Sequence, residues 1–468
     1  MDKNFDAIVI GAGPGGYVCS IRLAQLGLKT ACIESGKNLG GTCLNVGCIP
    51  SKSLLNSSEL YHQAEKKFNN LGIEVEKIKL NLSKMMNNKN KSVTTLTKGV
   101  EYLFKKNKIT SLQGKGSILS EDTVAVTDKL GKKINYKAKN IIISTGSLPT
   151  SLPDVKIDEK NIISSTGALS LTTVPENLIV IGGGYIGLEL SSVWKRLGSN
   201  VTVVEYSDYI VPGMDKDVSV EFLKILTKQG INFKLGSKVT SVRSIQNKVI
   251  VDFTNNKSQK RERIECDKVL VAVGRKPNIG DDITQLDIHL DINKKIKVNN
   301  KFETSVKNIY AIGDVINKGP MLAHKAEEEG IAVAEIIAGQ AGHVNYDVIP
   351  AVIYTSPEVA TIGKTEDQLK KDNINYKVGK FPFLANSRAK VNNETDGFVK
   401  IIADATTDKV LGVSIINTLA GTMIAELAMA MEFGASSEDI ARTCHAHPTH
   451  SEAVKEAAMA IDKRPIHF

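Results

Sequence analysis

One segment of the sequence, "FDAIVIGAGPGGYVCSIRLAQLGLKTACIE", has the pattern strand, glycine turn, helix, strand. Gly11, Gly13 and Gly16 are spaced as GxGxxG, and Glu34 ends the second strand. The first glycine permits a tight turn, the second lets a pyrophosphate approach the backbone, and the third lets helix and strand pack closely. The terminal acid can accept hydrogen bonds from ribose hydroxyls. The segment therefore predicts a dinucleotide-binding βαβ unit, because a glycine turn used only for packing would leave the acid unexplained.

The same pattern returns later in the chain, with every member displaced by the same offset. Gly182, Gly184 and Gly187 repeat the glycine spacing, and Glu205 stands as far beyond Gly187 as the first acid stands beyond its third glycine. Two such units predict two dinucleotide sites in one polypeptide, and a flavin with a nicotinamide is the natural couple, since one can pass hydride to the other. No basic residue follows Glu205 before Lys216, so the free 2′-hydroxyl of NAD is favoured over the 2′-phosphate of NADP.

Length, charge and hydropathy narrow the class of protein. A chain of 468 residues is expected to form several domains, and no apolar run is long enough to span a membrane. Its net charge is +9, but the lysines are scattered and no nucleic-acid-binding motif accompanies them. The basic surface could instead steer an acidic protein partner. The first strand begins almost at the N-terminus, so we expect a cytoplasmic protein, although a processed organellar form would look the same.

Two of the six cysteines, Cys43 and Cys48, stand five positions apart in "GGTCLNVGCIPSK". The pair could be a structural staple, half of a metal site, or a redox pair. Zinc is disfavoured because the spacing is not CxxC and no second Cys or His pair stands where a four-ligand site needs it. The pair follows the first dinucleotide unit closely, and a disulfide exchanges electrons with flavin rather than with nicotinamide. We therefore expect FAD in the first unit and the nicotinamide in the second.

Further glycine turns mark the ends of each nucleotide fold, at "IIISTGS", "VLVAVGRKPN" and "NIYAIGDV". Asp314 ends the last of these and could bind a chain of hydroxyls, and "MLAHKAEEEG" begins a helix whose free N–H groups could face a flavin. The predicted fold class is α/β, with two Rossmann-like FAD/NAD(P)-binding domains and a separate α+β domain at the C-terminal end, where the character of the sequence changes after Gly342.

The C-terminal segment "HAHPTHSE" concentrates histidines. A metal site is disfavoured because no carboxylate is placed to complete a facial set. Acid/base work is the alternative, since a thiol–disulfide reaction needs a base that works near neutral pH. Glu452 follows His447 by five residues and could hold its ring in one tautomer.

With these motifs in this order, the chain resembles the dihydrolipoamide dehydrogenases, flavoproteins of 2-oxo acid dehydrogenase complexes in the class I pyridine nucleotide-disulfide oxidoreductase family. The likeness rests on "GAGPGGYV", "GGTCLNVGCIPSK", "GGGYIGLE", "YAIGDV", "MLAHKAEEEG" and "HAHPTHSE", and it covers essentially the whole chain. It implies a homodimer with bound FAD and NAD, in which the α+β domain is a C-terminal α+β dimerisation domain. The four regions that it implies are 1–147 (FAD-binding, with a helical insertion at about 55–110), 148–276 (NAD-binding), 277–346 (central) and 347–468 (interface). It also implies partners: the lipoyl domains and the acyltransferase core of such complexes, with no nucleic acid and no membrane.

The resemblance also implies roles for the residues of the motifs. Cys43 would exchange with the lipoyl group, and Cys48 would lie against the flavin as the charge-transfer thiolate. His447, oriented by Glu452, would be the base and would reach the Cys43 side of the other subunit's site. Lys52 would lie beside the flavin.

Further residues follow from the same resemblance. Lys52 would be paired with Glu189, and Tyr185 would cover the flavin until nicotinamide enters. The implied FAD contacts are Gly11, Gly13, Gly16, Glu34, Lys52, Gly116, Thr145, Gly146, Ser147, Asp314, Met321, Leu322, Ala323 and His324. The implied NAD contacts are Gly182, Gly184, Tyr185, Gly187, Glu189, Glu205, Val239 and Gly274. No metal ligand is implied.

Two alternatives stay open at this point. The chain could be another disulfide reductase of the same fold, acting on glutathione or a mercuric ion, although no cysteine follows Cys444 to form the extra pair that a mercuric enzyme needs. It could also be mainly a docking subunit, in which the flavin has only a structural role. One departure from the family pattern is His450, where Leu is common. It lies between His447 and Glu452, so we expect it to affect the pH profile.

Overall fold

The structure, a computed structural model, describes residues 3–246 and 248–468. Its strands are β1 (Asn4–Ile10), β2 (Thr30–Glu34), β3 (Thr110–Gln113), β4 (Lys115–Ser120), β5 (Thr123–Thr127), β6 (Lys133–Ile143), β7 (Ser147–Pro149), β8 (Ile162–Ile163), β9 (Asn177–Ile181), β10 (Asn200–Val204), β11 (Asn232–Lys234), β12 (Ser237–Ile245), β13 (Lys248–Asn255), β14 (Arg261–Cys266), β15 (Lys268–Val271), β16 (Arg275–Pro277), β17 (Ile309–Ala311), β18 (Ala351–Ile353), β19 (Glu358–Gly363), β20 (Tyr376–Pro382), β21 (Phe398–Asp404) and β22 (Val410–Asn417). Its α-helices are α1 (Pro14–Gln25), α2 (Gly41–Val46), α3 (Cys48–Lys66), α4 (Leu82–Lys106), α5 (Ser165–Ala168), α6 (Tyr185–Arg196), α7 (Lys216–Lys228), α8 (Asp281–Gln285), α9 (Ala323–Ile337), α10 (Glu366–Lys371), α11 (Ser387–Asn392), α12 (Ala420–Glu432), α13 (Ser437–Arg442) and α14 (Glu452–Ala460).

The chain divides into two compact units. Unit 1 consists of Met1–Leu54, Ser83–Thr150 and Gly274–Val344, and unit 2 of Leu55–Leu82, Ser151–Val273 and Asn345–Phe468. The four-domain division predicted from the sequence is finer than these two units and stays a prediction.

Unit 1 is built on a mixed sheet with the strand order β3-β2-β1-β6-β5-β4, in which β17 also pairs with β6. The strands β3, β2, β1, β6 and β17 run parallel to one another, whereas β5 pairs antiparallel with both β6 and β4. The central strand β1 is almost wholly apolar and buried, as expected of a strand covered on both faces. The carboxyl ends of β1 and β2 meet at one edge, which is where a doubly wound sheet binds its ligand.

Unit 2 contains a second parallel sheet, β11-β10-β9-β15-β8, beside an antiparallel three-stranded sheet, β12-β13-β14. Its C-terminal part is an antiparallel five-stranded sheet, β18-β19-β22-β21-β20, against which α12 and α14 pack. The α/β fold class with two Rossmann-like parts and a C-terminal α+β part is confirmed. Within the described ranges, 3–246 and 248–468, no helix has both the length and the apolar character needed to cross a bilayer.

A buried lysine in unit 2 joins the second Rossmann-like part to the C-terminal sheet. The ammonium group of Lys400 donates to Asp215 at 2.8 Å and to Asp217 at 3.3 Å, and it also donates to Glu366. Burial of Lys400 alone would lower its pKa, but these hydrogen bonds and charges raise it above the usual value. Despite partial burial, the same contacts hold the pKa values of Asp217 and Glu366 below their usual range.

We expect Lys400→Met to destabilise the protein by about 3 kcal/mol, because removing one partner of a buried ion cluster leaves the other charges uncompensated. Urea unfolding at neutral pH measures this loss. The difference from the wild type should shrink as the pH falls below about 4, since carboxylates with a lowered pKa contribute stability that is lost when they are protonated. Lys380→Met is the matched control: Lys380 also contacts Asp217, at 3.3 Å, but is exposed, so its loss should cost under about 1 kcal/mol. Equal losses in the two variants would contradict the assignment.

Candidate active site

The first glycine loop connects β1 to α1, and its three glycines differ in what requires them. Gly11 has φ +103°, and a Cβ there would lie 2.3 Å from the Ser144 carbonyl oxygen. A Cβ on Gly16 would lie 1.8 Å from the carbonyl oxygen of Gly11, so the protein itself excludes a side chain at both positions. At Gly13 the nearest atom would be Gly41 Cα at 3.9 Å, an ordinary contact. The packing therefore does not require glycine at 13, and the space there suits a pyrophosphate above the backbone.

The second loop, between β9 and α6, repeats this arrangement. Gly182 has φ +110°, and a Cβ there would lie 2.4 Å from the Ala272 carbonyl oxygen, while a Cβ on Gly187 would lie 2.1 Å from that of Gly182. A Cβ on Gly184 would meet no described atom within 4 Å. In both loops the first and third glycines serve the fold, and the middle one leaves room for a ligand.

The two acids at the strand ends also occupy equivalent positions. Glu34 accepts hydrogen bonds from the N–H groups of Ala12 at 3.0 Å and Gly36 at 2.6 Å. Glu205 accepts from Gly183 at 2.6 Å and Ser207 at 2.8 Å, the two positions that correspond to those donors in the second unit. Each acid thus holds its own glycine loop in place. Its oxygens keep lone pairs that can accept a hydrogen bond from a ribose hydroxyl.

Asp314 belongs to a chain of polar contacts within unit 1 that the sequence did not predict. Its carboxylate accepts a 2.5 Å hydrogen bond from the Ser147 hydroxyl, which accepts one from Arg275 Nε at 2.7 Å. Arg275 also donates to the Ser147 carbonyl oxygen at 2.6 Å. Burial lowers the pKa of Arg275, while the negative charges of Asp314 and Cys48 act in the opposite direction. The only sequence signal for Arg275 was its place directly after the glycine of "VLVAVGRKPN".

A buried ion pair on α9 holds the turn that carries Asp314. Lys325 and Glu329 are 1% and 0% exposed and lie 3.2 Å apart. Lys325 donates to the Gly313 carbonyl oxygen at 3.0 Å, and Glu329 accepts from the Gly313 N–H at 2.7 Å. Both backbone groups of Gly313 are thereby fixed. The presence of the two residues in "HKAEEEG" was visible in the sequence, but their burial was not.

The other predicted FAD contacts occupy several elements of unit 1. Gly116 lies in β4, where a Cβ would be 3.0 Å from Ile10. The Thr145 hydroxyl donates to the Asn278 carbonyl oxygen at 2.7 Å, and Gly146 has φ +72° with open space around it. Leu322 caps α9, which begins at Ala323. Met321 precedes this cap and His324 lies in the first turn. The role of each as a contact stays a prediction.

The two cysteines lie on successive helices of unit 1. Cys43 lies in α2 and Cys48 begins α3. Cys43 hydrogen-bonds to Cys48, and this bond, burial, and the charges of Cys48 and Glu327 raise the pKa of Cys43, while Lys52 acts to lower it. The environment thus favours a proton on Cys43 and negative charge on Cys48, which lies at the positive end of a helix.

A tyrosine and a carboxyl group next to this pair were missed in the sequence. The Tyr17 hydroxyl lies 3.4 Å from a carboxylate oxygen of Glu327, which joins α1 to α9. Burial raises the pKa of Glu327, and burial together with the charges of Glu327 and Cys43 raises that of Tyr17 to about 12. The hydroxyl group therefore stays protonated and the carboxyl group is easily neutralised near the cysteines.

Lys52 and Glu189 fall in different units, so their predicted pairing stays a prediction. Lys52 follows Cys48 by one helical turn of α3 and donates to the Ser51 hydroxyl at 3.3 Å. Glu189 is buried on α6 and accepts from the Tyr354 N–H at 3.0 Å. Tyr185 is the first residue of α6, and burial raises its pKa.

The two remaining predicted NAD contacts also lie in different units. Val239 lies in β12 beside a register shift of the strand, in unit 2. Gly274 belongs to unit 1, where its carbonyl oxygen accepts from the Thr150 N–H at 3.0 Å. A Cβ on Gly274 would meet no described atom within 4 Å.

The predicted base and its orienter meet in unit 2. His447 Nδ1 lies 2.8 Å from one carboxylate oxygen of Glu452, and the other oxygen accepts from the Thr449 N–H at 2.8 Å. Burial opposes ionisation of Glu452, but these two hydrogen bonds outweigh it and its pKa is lowered. With Nδ1–H directed to Glu452, Nε2 of the largely exposed His447 ring is the nitrogen that can accept a proton.

Two dinucleotide loops, a cysteine pair and a carboxylate-oriented histidine define a disulfide oxidoreductase with two dinucleotide cofactors. The chain belongs to the pyridine nucleotide-disulphide oxidoreductase family. The model of that family matches residues 5–330, and the model of its dimerisation domain matches residues 349–458. It is an oxidoreductase that uses FAD and a pyridine nucleotide, and the dimerisation domain supports a homodimer.

Named relatives match all or nearly all of the chain. It is 53% identical over 468 residues to a mitochondrial dihydrolipoyl dehydrogenase of Pisum sativum, covering 100% of this chain and 93% of the relative. It is 53% identical over 461 residues to a mitochondrial dihydrolipoyl dehydrogenase of Bos taurus, covering 97% and 90%. Among solved structures, an HOCl-induced flavoprotein disulfide reductase of Escherichia coli matches with a TM-score of 0.86 at 26% identity, covering 98% of this chain and 99% of that one.

The open space at the two middle glycines gives a paired prediction. Gly13→Ala should lower the amount of flavin bound to the protein while leaving the fold intact. The new methyl group occupies the space above the loop without touching the protein closely. Gly184→Ala should leave the flavin content unchanged and weaken nicotinamide binding. Flavin absorbance of the purified protein and a nicotinamide titration measure the two effects.

Gly99→Ala on α4 is the matched control, since a Cβ there also meets no described atom within 4 Å. It should change neither cofactor. If both loop variants bound both cofactors normally, the assignment of the two loops would be wrong.

Proposed function

We propose that Cys43, Cys48 and His447 are the reacting groups of a dihydrolipoyl dehydrogenase. Full-length relatives at 53% identity have that activity in their names, and it is the activity of this chain. The observation that carries the residue assignment is the hydrogen-bonded cysteine pair, which begins directly beside the first dinucleotide loop. The overall reaction converts dihydrolipoamide and NAD⁺ to lipoamide, NADH and a proton.

The cysteines perform the thiol–disulfide part of this reaction. One thiolate of dihydrolipoamide attacks the Cys43 sulfur of the Cys43–Cys48 disulfide, and Cys48 leaves as a thiolate. The second substrate thiol then displaces Cys43, so the substrate leaves as a cyclic disulfide and the protein holds two reduced cysteines. FAD held at the first glycine loop and Glu34 would supply the two-electron chemistry that links this dithiol to NAD⁺.

The surroundings of the two sulfurs suit different tasks. Negative charge on Cys48 is favoured by the amino-terminal end of α3 and by Lys52 one turn further along. The proton is favoured on Cys43 by its hydrogen bond to Cys48 and by burial. Cys48 is therefore the better leaving group and Cys43 the sulfur that exchanges with substrate.

His447 takes the proton of the attacking thiol. Its ring is held by Glu452 through Nδ1, so Nε2 receives the proton and the imidazolium that forms is stabilised by the carboxylate. In the homodimer this base serves Cys43 of the partner subunit, as the family resemblance implies.

NAD rather than NADP is the proposed acceptor. Glu205 accepts two backbone hydrogen bonds at the end of β10, which fixes a negative charge where a 2′-phosphate would lie. A free 2′-hydroxyl can donate to that carboxylate, whereas a phosphate is repelled by it. Turnover of free dihydrolipoamide with NAD⁺ should exceed turnover with NADP⁺ by at least about 100-fold, because placing like charges together costs several kcal/mol, and comparable rates would overturn the choice.

The proposed setting is a 2-oxo acid dehydrogenase complex, in which the chain oxidises dihydrolipoamide carried on lipoyl domains and docks on an acyltransferase core. The names of the relatives and the basic net charge of +9 support this setting. A cytoplasmic location is proposed with it, and fractionation of the source cells tests it. Docking as the main role, with little chemistry, is disfavoured by the intact cysteine pair and base.

Cys48→Ser should abolish NAD⁺-dependent oxidation of dihydrolipoamide, because serine cannot form the disulfide. Bound flavin should remain, which absorbance measures. Cys444→Ser is the matched control, since Cys444 is exposed and lies outside the proposed site. Full activity in Cys48→Ser would contradict the proposed exchange through the Cys43–Cys48 disulfide.

Absence of a long-wavelength charge-transfer band after two-electron reduction of the wild type would favour the docking role.

His447→Gln should lower kcat by roughly 10²–10⁴-fold, the usual contribution of a general base. Glu452→Gln should reduce kcat less, because the ring remains but loses its orientation. Steady-state kinetics over a range of pH measure both effects, with His445→Gln, at a half-buried histidine two residues away, as the control. A His447→Gln variant with wild-type kinetics would show that another group accepts the proton.

A further inference from the structure

His450 is a buried histidine inside the segment that carries the proposed base. It lies between His447 and Glu452 in sequence, yet its side chain is 5% exposed whereas that of His447 is 70% exposed. Its ring packs against Phe383, with ring centroids 6.1 Å apart. The buried imidazole therefore packs the segment between α13 and α14 against the rest of unit 2.

The buried ring has an unsatisfied nitrogen. His450 Nε2 has no hydrogen-bond partner among the described residues. The nearest carboxylate oxygen is Glu394 Oε2, at 3.9 Å, which is beyond hydrogen-bond distance. That oxygen accepts a hydrogen bond from the Thr418 hydroxyl at 2.9 Å. An unpaired buried polar atom is costly, so this arrangement favours a change in which Nε2 gains a partner.

The backbone next to His450 holds the orienting carboxylate. The Thr449 N–H donates to Glu452, and the Thr449 carbonyl oxygen accepts from the buried amide of Asn386 at 3.0 Å. The His450 carbonyl oxygen accepts from the Ala453 N–H at 3.0 Å in the first turn of α14. A shift of the His450 ring toward Glu394 therefore acts on the position of Glu452 through the adjoining residue Thr449 and through the first turn of α14.

We propose that His450 is a positioning residue whose protonation draws its ring to Glu394 and changes the hold of Glu452 on His447. The neutral ring leaves the His447–Glu452 pair as the structure shows it, and the protonated ring pulls the Thr449 N–H away from Glu452. This inference rests on the proposed role of His447. It adds the protonation of His450, which does not touch the reacting atoms, as a second control on the His447–Glu452 pair.

The charged groups that act on His450 are Glu394 and Arg388. The Phe383 ring, which packs against it, and the Asn386 amide, which binds the adjoining residue, are neutral. Burial lowers the pKa of His450 from its usual value of 6.5, Glu394 acts to raise it, and Arg388 acts to lower it further. The folded protein thus binds this proton less readily than the unfolded chain. Stability is unaffected above about pH 6.5 and falls as the pH drops from there through the lowered pKa.

The first test is His450→Leu, which fills the pocket without a titratable group. The acid side of the kcat/KM profile should become shallower, from a two-proton to a one-proton dependence, and the variant should stay active at lower pH than the wild type. The loss of thermal stability on acidification should also be smaller. His289→Leu, at an exposed histidine in unit 1, is the matched control and should leave both profiles unchanged.

Two further variants keep His450 and change only its electrostatic surroundings. Glu394→Gln removes the attractive charge and should move the second protonation to lower pH. Arg388→Gln removes a repulsive charge and should move it to higher pH. Shifts of opposite sign cannot come from a general loss of stability, so this pair keeps the test valid if His450→Leu folds poorly.

The outcomes separate the inference from the proposed function. Opposite shifts in the two charge variants, with a shallower acid limb in His450→Leu, support the inference. A changed stability profile with an unchanged kinetic profile overturns it, because His450 would then titrate without positioning the base, and unchanged profiles overturn it as well. Wild-type kinetics in His447→Gln would instead overturn the assigned base.

Discussion

The contact between two glycines, Gly13 and Gly41, fixes the cysteines relative to the first dinucleotide loop. A Cβ on Gly41 would lie 2.5 Å from Gly13 Cα, and Gly40 donates to the Ala12 carbonyl oxygen at 2.8 Å. The helix that carries Cys43 thus begins directly on the loop. The same backbone that leaves room for a pyrophosphate also sets the position of the redox pair, so cofactor site and disulfide chemistry depend on one close approach.

The parts of the fold that follow from local backbone requirements could be predicted from the sequence. Glycine is needed at 11 and 16 for steric reasons within a few residues, and the acid at 34 ends a strand, so the spacing alone reveals the unit. The His447–Glu452 pair was predictable for the same reason, since its members are close together in the chain. The repetition at a constant offset extends to individual hydrogen bonds, because both copies solve the same packing problem.

The contacts that could not be predicted join residues far apart in the chain. Arg275 and Ser147 are 128 residues apart, and Lys400 and Asp215 are 185 apart. Lysines and arginines are usually exposed, so nothing in their local sequence distinguishes a buried ion partner from a solvated side chain. The position of Glu327 near the cysteines could not be recognised for the same reason, because it is one of three consecutive glutamates. Sequence patterns thus identify the elements and the reacting residues, whereas the polar groups that hold them are determined by the tertiary fold.

The cysteines and the base are supported differently, and this difference bears on how the site responds to pH. In unit 1 the cysteines lie on helices anchored by glycine backbone contacts, and the ion pair of Lys325 and Glu329 fixes the neighbouring turn at Gly313. In unit 2 the base lies outside regular helices, between α13 and α14, and is held by side-chain hydrogen bonds. Glycine contacts do not titrate, but imidazole and carboxylate contacts do. A change in pH therefore alters the geometry of the base without moving the helices that carry the cysteines, although it also changes the protonation of Glu327 beside them.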